Sequence, residues 1–132
     1  MIVGTGCDLI EIERIRAAYA RHGARFAQRI LGPGELQVWE ARRARSAERG
    51  IAYLATRFAA KEAISKALGL GMRSPMSWRA AEVLNAPGGA PQVRTHGALA
   101  EHVRERRLRL HVSLTDERSM AMASAIAEDE GA

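Results

Sequence analysis

The pattern of hydrophobic and polar positions changes period several times along the chain, and each change marks an element. Residues Ile2 to Ile10 are mostly apolar or small and read as a buried strand. A period of two puts Gly4, Gly6 and Asp8 on one face, where the glycines remove bulk so that a backbone or ligand can come close to the aspartate. From Glu11 the period is helical, with Ile12, Ile15 and Tyr19 on one side and Arg14, Arg21 and Arg25 left to solvent, until Gly23 interrupts. A second helix is predicted from Arg25 to Leu31, Gly32-Pro33-Gly34 breaks the chain, and a third helix covers Gly34 to Arg45. Ser46 is placed to cap a long helix to Leu68, whose Ile51, Leu54, Phe58 and Leu68 recur at helical spacing, and Gly69 and Gly71 end it. Short strands from Ser77 to Leu84 and from Pro91 to Arg94 flank the Ala86-Pro87-Gly88-Gly89 turn, and a short helix from His96 to Arg106 follows. The tail alternates: Leu108, Leu110, Val112 and Leu114 face one way, while Arg109, His111, Ser113 and Thr115 face the other. A turn at Asp116 to Ser119 and a return strand from Met120 to Ala127 complete a hairpin.

Composition narrows the class. At 132 residues, with 47% apolar and 27% charged positions, the chain is sized for one ordinary domain over residues 1–132. No apolar run approaches the roughly 20 residues of a bilayer span, and the opening carries no cationic leader, so a cytoplasmic location without membrane attachment is expected. A single cysteine, Cys7, rules out a disulfide framework and a multi-cysteine zinc site. The net charge of +5 calls for an anionic partner such as nucleic acid, phosphate or an acidic protein, without choosing among them. Aromatic residues are only 5%, which offers no stacking platform for nucleic acid.

The candidate chemistry concentrates in few residues. Asp8 ends an apolar strand, where a carboxylate needs a donor, a countercharge or a metal; the plainer reading is that it caps the following helix. Glu62 continues the Leu54, Phe58 line at four-residue spacing, an odd place for an acid. Lys66 stands four residues beyond it, and as an exposed ion pair would contribute only about 0.3–0.5 kcal/mol. Lys61 and Lys66 are the only lysines among 20 basic residues, which suggests a local demand, against the alternative of two solvated helix lysines. Arg42, Arg45 and Arg49 form another stripe, diluted by Glu40 and Glu48 and read as surface; His22, His96 and His102 receive no role.

Four blocks then carry a resemblance. The run Gly4-Thr5-Gly6-Cys7-Asp8-Leu9-Ile10-Glu11-Ile12-Glu13-Arg14-Ile15 resembles the opening of the holo-acyl-carrier-protein synthases, the group I 4′-phosphopantetheinyl transferases. Arg25 to Leu31 with Glu35-Leu36, Arg57 to Gly69, and His111 to Asp116 are similar to that family's later blocks, in the same order. The resemblance implies an α+β fold with a long central helix packed on a small antiparallel sheet. It also implies transfer of the 4′-phosphopantetheine arm of coenzyme A to a serine of apo-acyl carrier protein, releasing adenosine 3′,5′-bisphosphate with the help of Mg²⁺. By position, Asp8 and Glu62 match the metal carboxylates and, with Lys66, the catalytic set. Lys61, Ser65, Lys66 and Gly69 match the coenzyme A positions, and Arg14, Arg21 and Arg25 the surface for the acidic carrier. A homotrimer with active sites at subunit boundaries is expected, and no nucleic-acid partner. The chain departs from many members in having Asp116 where they carry histidine, and Met120 where an aromatic is usual. A noncatalytic binder of acidic protein or nucleic acid is the alternative.

Overall fold

The computed structural model describes residues 1–131. In chain order the elements are β1 (Ile2–Glu11), α1 (Ile12–His22), α2 (Ala24–Ile30), α3 (Pro33–Arg45), α4 (Ala47–Leu68), β2 (Ala81–Asn85), β3 (Pro91–Thr95), α5 (Gly97–Glu105), β4 (Leu108–Asp116) and β5 (Met120–Asp129). Three strands form an antiparallel sheet in the order β1-β5-β4, and β2 with β3 forms a separate antiparallel hairpin. The architecture is the α+β arrangement expected, with α4 lying across β1 and β5.

Helix α4 is long because its ends are well made and no proline interrupts it. The Ser46 hydroxyl accepts from the Arg49 backbone N–H, and Gly69 ends the helix in the left-handed region at φ 74°. Its sheet side is built of alanine, with Ala59, Ala60, Ala63 and Ala67 buried, and Ala121, Ala123, Ala125 and Ala127 of β5 are buried as well. Strand β1 comes closer still. A Cβ on Gly4 would stand 1.8 Å from the Ala67 carbonyl oxygen, and one on Gly6 2.1 Å from that of Ala63. The two glycines therefore serve the approach of the helix, not of a ligand.

The structure corrects several readings. Asp8 does not cap α1: it sits inside β1 opposite Ala123, and Glu11 occupies the helix N-cap without a side-chain bond. The strand expected from Ser77 begins only at Ala81, because residues 77–80 form a turn whose Trp78 carbonyl is drawn to Lys61. His96 is no idle surface residue: its Nε2 lies 2.7 Å from Glu82 Oε1.

Burial disfavours the ionised form of Glu82, but backbone N–H groups of Glu35 and Gly34 and the His96 ring outweigh it and hold the carboxyl below its ordinary 4.5. Its stabilising contribution is thus complete above the unfolded value and lost as pH falls through the lower folded one. Glu82→Gln is expected to flatten the acid side of the stability–pH curve, measured by urea unfolding between pH 3 and 6 in ~0.5 steps. Gly6→Val drives a side chain into the Ala63 carbonyl and is expected to cost about 2–3 kcal/mol in the same assay.

Candidate active site

The contact between β1 and α4 sets the register of the site. Gly4 lies against Ala67 and Gly6 against Ala63, so the strand and helix run in opposite directions. Two strand residues advance about 6.8 Å and four helix residues about 6 Å, so Asp8 comes level with the turn that ends at Glu62. The two carboxylates interact. Burial first, and then the Asp8 charge, push the Glu62 carboxyl above its ordinary value, with Lys66 pulling it down. Lys66 Nζ donates to the Cys7 carbonyl at 2.9 Å and lies 3.5 Å from Asp8 Oδ1, so it bridges back to the strand. Gly69 is exposed and sits one turn beyond Lys66, donating its N–H to the Lys66 carbonyl.

Two expected members stand apart. Lys61 is fully buried, and its ammonium donates to Glu35 Oε1 and to the Trp78 and Ala81 carbonyls, each at 2.7 Å. All three donors are thereby used, so its assignment to coenzyme A is withdrawn. Ser65 is 1% exposed, and its hydroxyl donates to the Glu62 carbonyl at 2.7 Å, turned onto its own helix. Arg14, Arg21 and Arg25 are all exposed and, among the described residues, none forms an ion pair.

Among the described residues no three acidic, histidine or cysteine side chains cluster as a ready metal cage. Asp8 and Glu62 instead offer two oxygen donors whose mutual repulsion Lys66 does not cancel. That donor chemistry fits Mg²⁺, which is usually held by one or two carboxylates with phosphate and water completing an octahedron.

A second feature escaped the sequence reading. A cavity of about 220 Å³ is lined by Arg42, Tyr53, Thr56, Arg57, Asn85, Thr115 and Asp116 among others. Arg57 is 5% exposed and donates to the Val83 carbonyl, Thr56 Oγ1 and Asn85 Oδ1, none of them a carboxylate. Its guanidinium and that of Arg42 lie 4.2 and 5.2 Å from the Tyr53 ring centroid. Tyr53 Oη is buried and, among the described residues, has no hydrogen-bond partner, and burial pushes the phenol up to about 12. A neighbouring groove of about 760 Å³ shares Arg42 and Asp116 and adds Arg45 and Arg49. The arginine stripe thus borders a basic cavity; the one available signal was Arg57, a charged residue within an otherwise apolar stretch of helix. Nine residues, two and a half turns, separate Tyr53 from Glu62 and Arg57 from Lys66, so acids and cavity occupy opposite faces of α4.

The 4′-phosphopantetheinyl transferase superfamily profile matches residues 4–123. The chain belongs to this superfamily. Relatives named holo-[acyl-carrier-protein] synthase include one from Leptothrix cholodnii, 55% identical over 131 residues and covering 99% of both chains. Another, from Herminiimonas arsenicoxydans, is 57% identical over 97% of this chain and 98% of its own. Among solved structures, the holo-[acyl-carrier-protein] synthase of Neisseria meningitidis is similar at TM-score 0.89 and 36% identity, over 97% of this chain and 99% of that one. The Bacillus anthracis synthase, crystallised in complex with CoA (3′,5′-ADP), matches at TM-score 0.82 and 32% identity, over 98% of this chain and 99% of that one. The matched span, residues 4–123, includes the positions of the acid pair, Lys66 and the basic cavity.

Because burial and a like charge both work against the ionised form of Glu62, removing its charge relieves the fold. Glu62→Gln is expected to melt at the wild-type temperature or higher at pH 7, by calorimetry, in contrast to the loss that follows removal of a structural ion pair.

Proposed function

We propose that this chain transfers the 4′-phosphopantetheine group of coenzyme A to a serine of apo-acyl carrier protein, with Mg²⁺, giving holo-acyl carrier protein and adenosine 3′,5′-bisphosphate. One observation carries the reading: an under-neutralised acid pair with a lysine on one face of α4, and a basic cavity with an unpartnered phenol on the other. Such an arrangement suits a ligand that carries a pyrophosphate and, on the same ribose, a separate 3′-phosphate, as coenzyme A does.

In the transfer the serine hydroxyl oxygen forms a bond to the pantetheine-side phosphorus, and the anhydride bond to the adenosine bisphosphate breaks. Asp8 and Glu62 would hold the metal ion, which supplies positive charge to the pyrophosphate when bound. Lys66, exposed and movable, is placed to neutralise or protonate the departing phosphate. Gly69 leaves the end of α4 open for the approach. Arg57 and Arg42 offer guanidinium donors to the 3′-phosphate, with Tyr53 Oη beside them.

The acidic carrier docks on Arg14 and Arg21, which lie seven residues apart on one face of α1, with Arg25 beyond them. Helix α1 begins immediately after the strand that carries Asp8, so this cationic surface adjoins the acid pair. The two faces of α4 are joined through a second copy, one subunit contributing the acids and the next the cavity, in a closed homotrimer. The outward face of the three-stranded sheet supports this, for Val3, Leu9 and Met122 are 53, 59 and 45% exposed there.

Mass spectrometry of apo-carrier incubated with coenzyme A and Mg²⁺ tests the reading: a carrier that gains no phosphopantetheine mass rejects it. Arg42→Ala, an exposed change, is expected to raise KM for coenzyme A about 10-fold with kcat nearly unchanged, since a hydrogen bond to a charged group is worth about 1.5–3 kcal/mol.

A further inference from the structure

Alanine against alanine packs closely, but it has little shape. A smooth contact such as that of α4 with β5 has few knobs to resist rotation or sliding of the helix by a fraction of a residue. Glu62 nevertheless has to keep one direction to meet Asp8. The directional restraint lies one residue away, at Lys61.

The Lys61 ammonium holds three oxygens at 2.7 Å, from α3, from the turn before β2 and from Ala81 at its start. Glu35 is anchored in its turn: Oε1 also accepts from the Gly32 N–H at 2.9 Å, and Oε2 accepts from the Val83 N–H at 2.7 Å. The Glu35 N–H donates to Glu82 Oε2 at 3.0 Å. Three segments of the fold thus converge on one side chain of α4. Successive helix residues point about 100° apart, so fixing Lys61 inward fixes where Glu62 points. The two side chains also satisfy the Gly32 and Val83 N–H groups and the Trp78 and Ala81 carbonyls, so they support the fold as well as the direction of α4.

We propose that Lys61 and Glu35 are positioning residues, setting the rotation of α4 that turns Glu62 toward Asp8. The inference rests on the reading of Asp8 and Glu62 as the divalent-cation donors. Its test uses Mn²⁺ as the probe, titrated into the full chain and followed by electron paramagnetic resonance.

Lys61→Met alone leaves Glu35 buried and unpaired and is prone to unfold. The Lys61→Met/Glu35→Gln double variant removes both charges while keeping an amide for the backbone groups that Glu35 now meets, and is expected to melt cooperatively, below the wild-type temperature. Its Mn²⁺ affinity in the folded state is expected to fall about 10-fold or more, as when supporting residues behind a metal ligand are removed. A merely structural pair would leave affinity intact while the chain is folded, so wild-type Mn²⁺ affinity in the folded double variant overturns the proposal. Glu35→Asp, which keeps the charge but shortens the reach by one methylene, gives the same reading should the double variant not fold: weakened Mn²⁺ binding supports the proposal and unchanged binding overturns it. A wild-type chain that binds Mn²⁺ yet transfers no phosphopantetheine rejects the function while leaving the positioning intact; one that binds no Mn²⁺ rejects both.

Discussion

Two glycines decide how near α4 comes to β1. The carbonyl oxygens of Ala67 and Ala63 occupy the space that Cβ atoms at Gly4 and Gly6 would need, so the helix and strand meet backbone to backbone. Asp8 is the next residue on that strand face, and the helix brings Glu62 to the same level. Both acids therefore stand on regular elements and not on loops, which holds a constellation more tightly. Burial first, and then the neighbouring Asp8 charge, raise the Glu62 carboxyl, so holding the two acids here has a cost. A wider helix–strand gap would relax that repulsion and with it the donor pair.

The charges on α4 are managed in three different ways. Lys61 is buried and saturated by oxygens, one of them a carboxylate. Arg57 is buried too, but its acceptors are a carbonyl, a hydroxyl and an amide oxygen, leaving its charge without a close acid. Among the described residues, the acids at Asp8 and Glu62 have the exposed Lys66 as their neighbouring cation. A chain arranged solely for its own stability would bring unmatched charges of opposite sign together. Here they are kept on opposite faces of one helix, so each side retains a demand that a ligand of the other sign can meet.

Most of this fold was legible in the sequence, and the parts that were not share a cause. The alternation through β1 and β4, the span of α4 between Ser46 and Gly69, and the shared face of Gly4, Gly6 and Asp8 are local periodicities, and the structure keeps them. Lys61 and Lys66 look alike in sequence, five residues apart on one amphipathic helix. Their fates diverge because burial of the Lys61 side depends on α3 and β2, which no window around residue 61 contains. The cavity at Arg57 is illegible for the same reason: its lining comes from α3, α4, β2, β3, β4 and the turn before β3. The late start of β2 follows from the turn at residues 77–80, which the Ala80 N–H closes on the Ser77 carbonyl.

The alanine surface that permits the close approach also limits what it can contribute, because alanine removes little area from water. Stability has to come from elsewhere, and the distribution of bulk shows where. The largest fully buried apolar side chains, among them Trp39, Tyr53, Leu31 and Leu99, all lie outside the three-stranded sheet. The core is thus divided, with small residues between α4 and the sheet where closeness matters and large ones on the α3 and α5 side where area matters. The sheet's other face still carries apolar side chains in contact with water, Val3, Leu9, Met122 and Ile126 among them. A chain that gives up burial on one face of a sheet to bring two acids together, and leaves apolar residues on the other, keeps hydrophobic gain in reserve on that outer face, the burial that the proposed association of subunits would use.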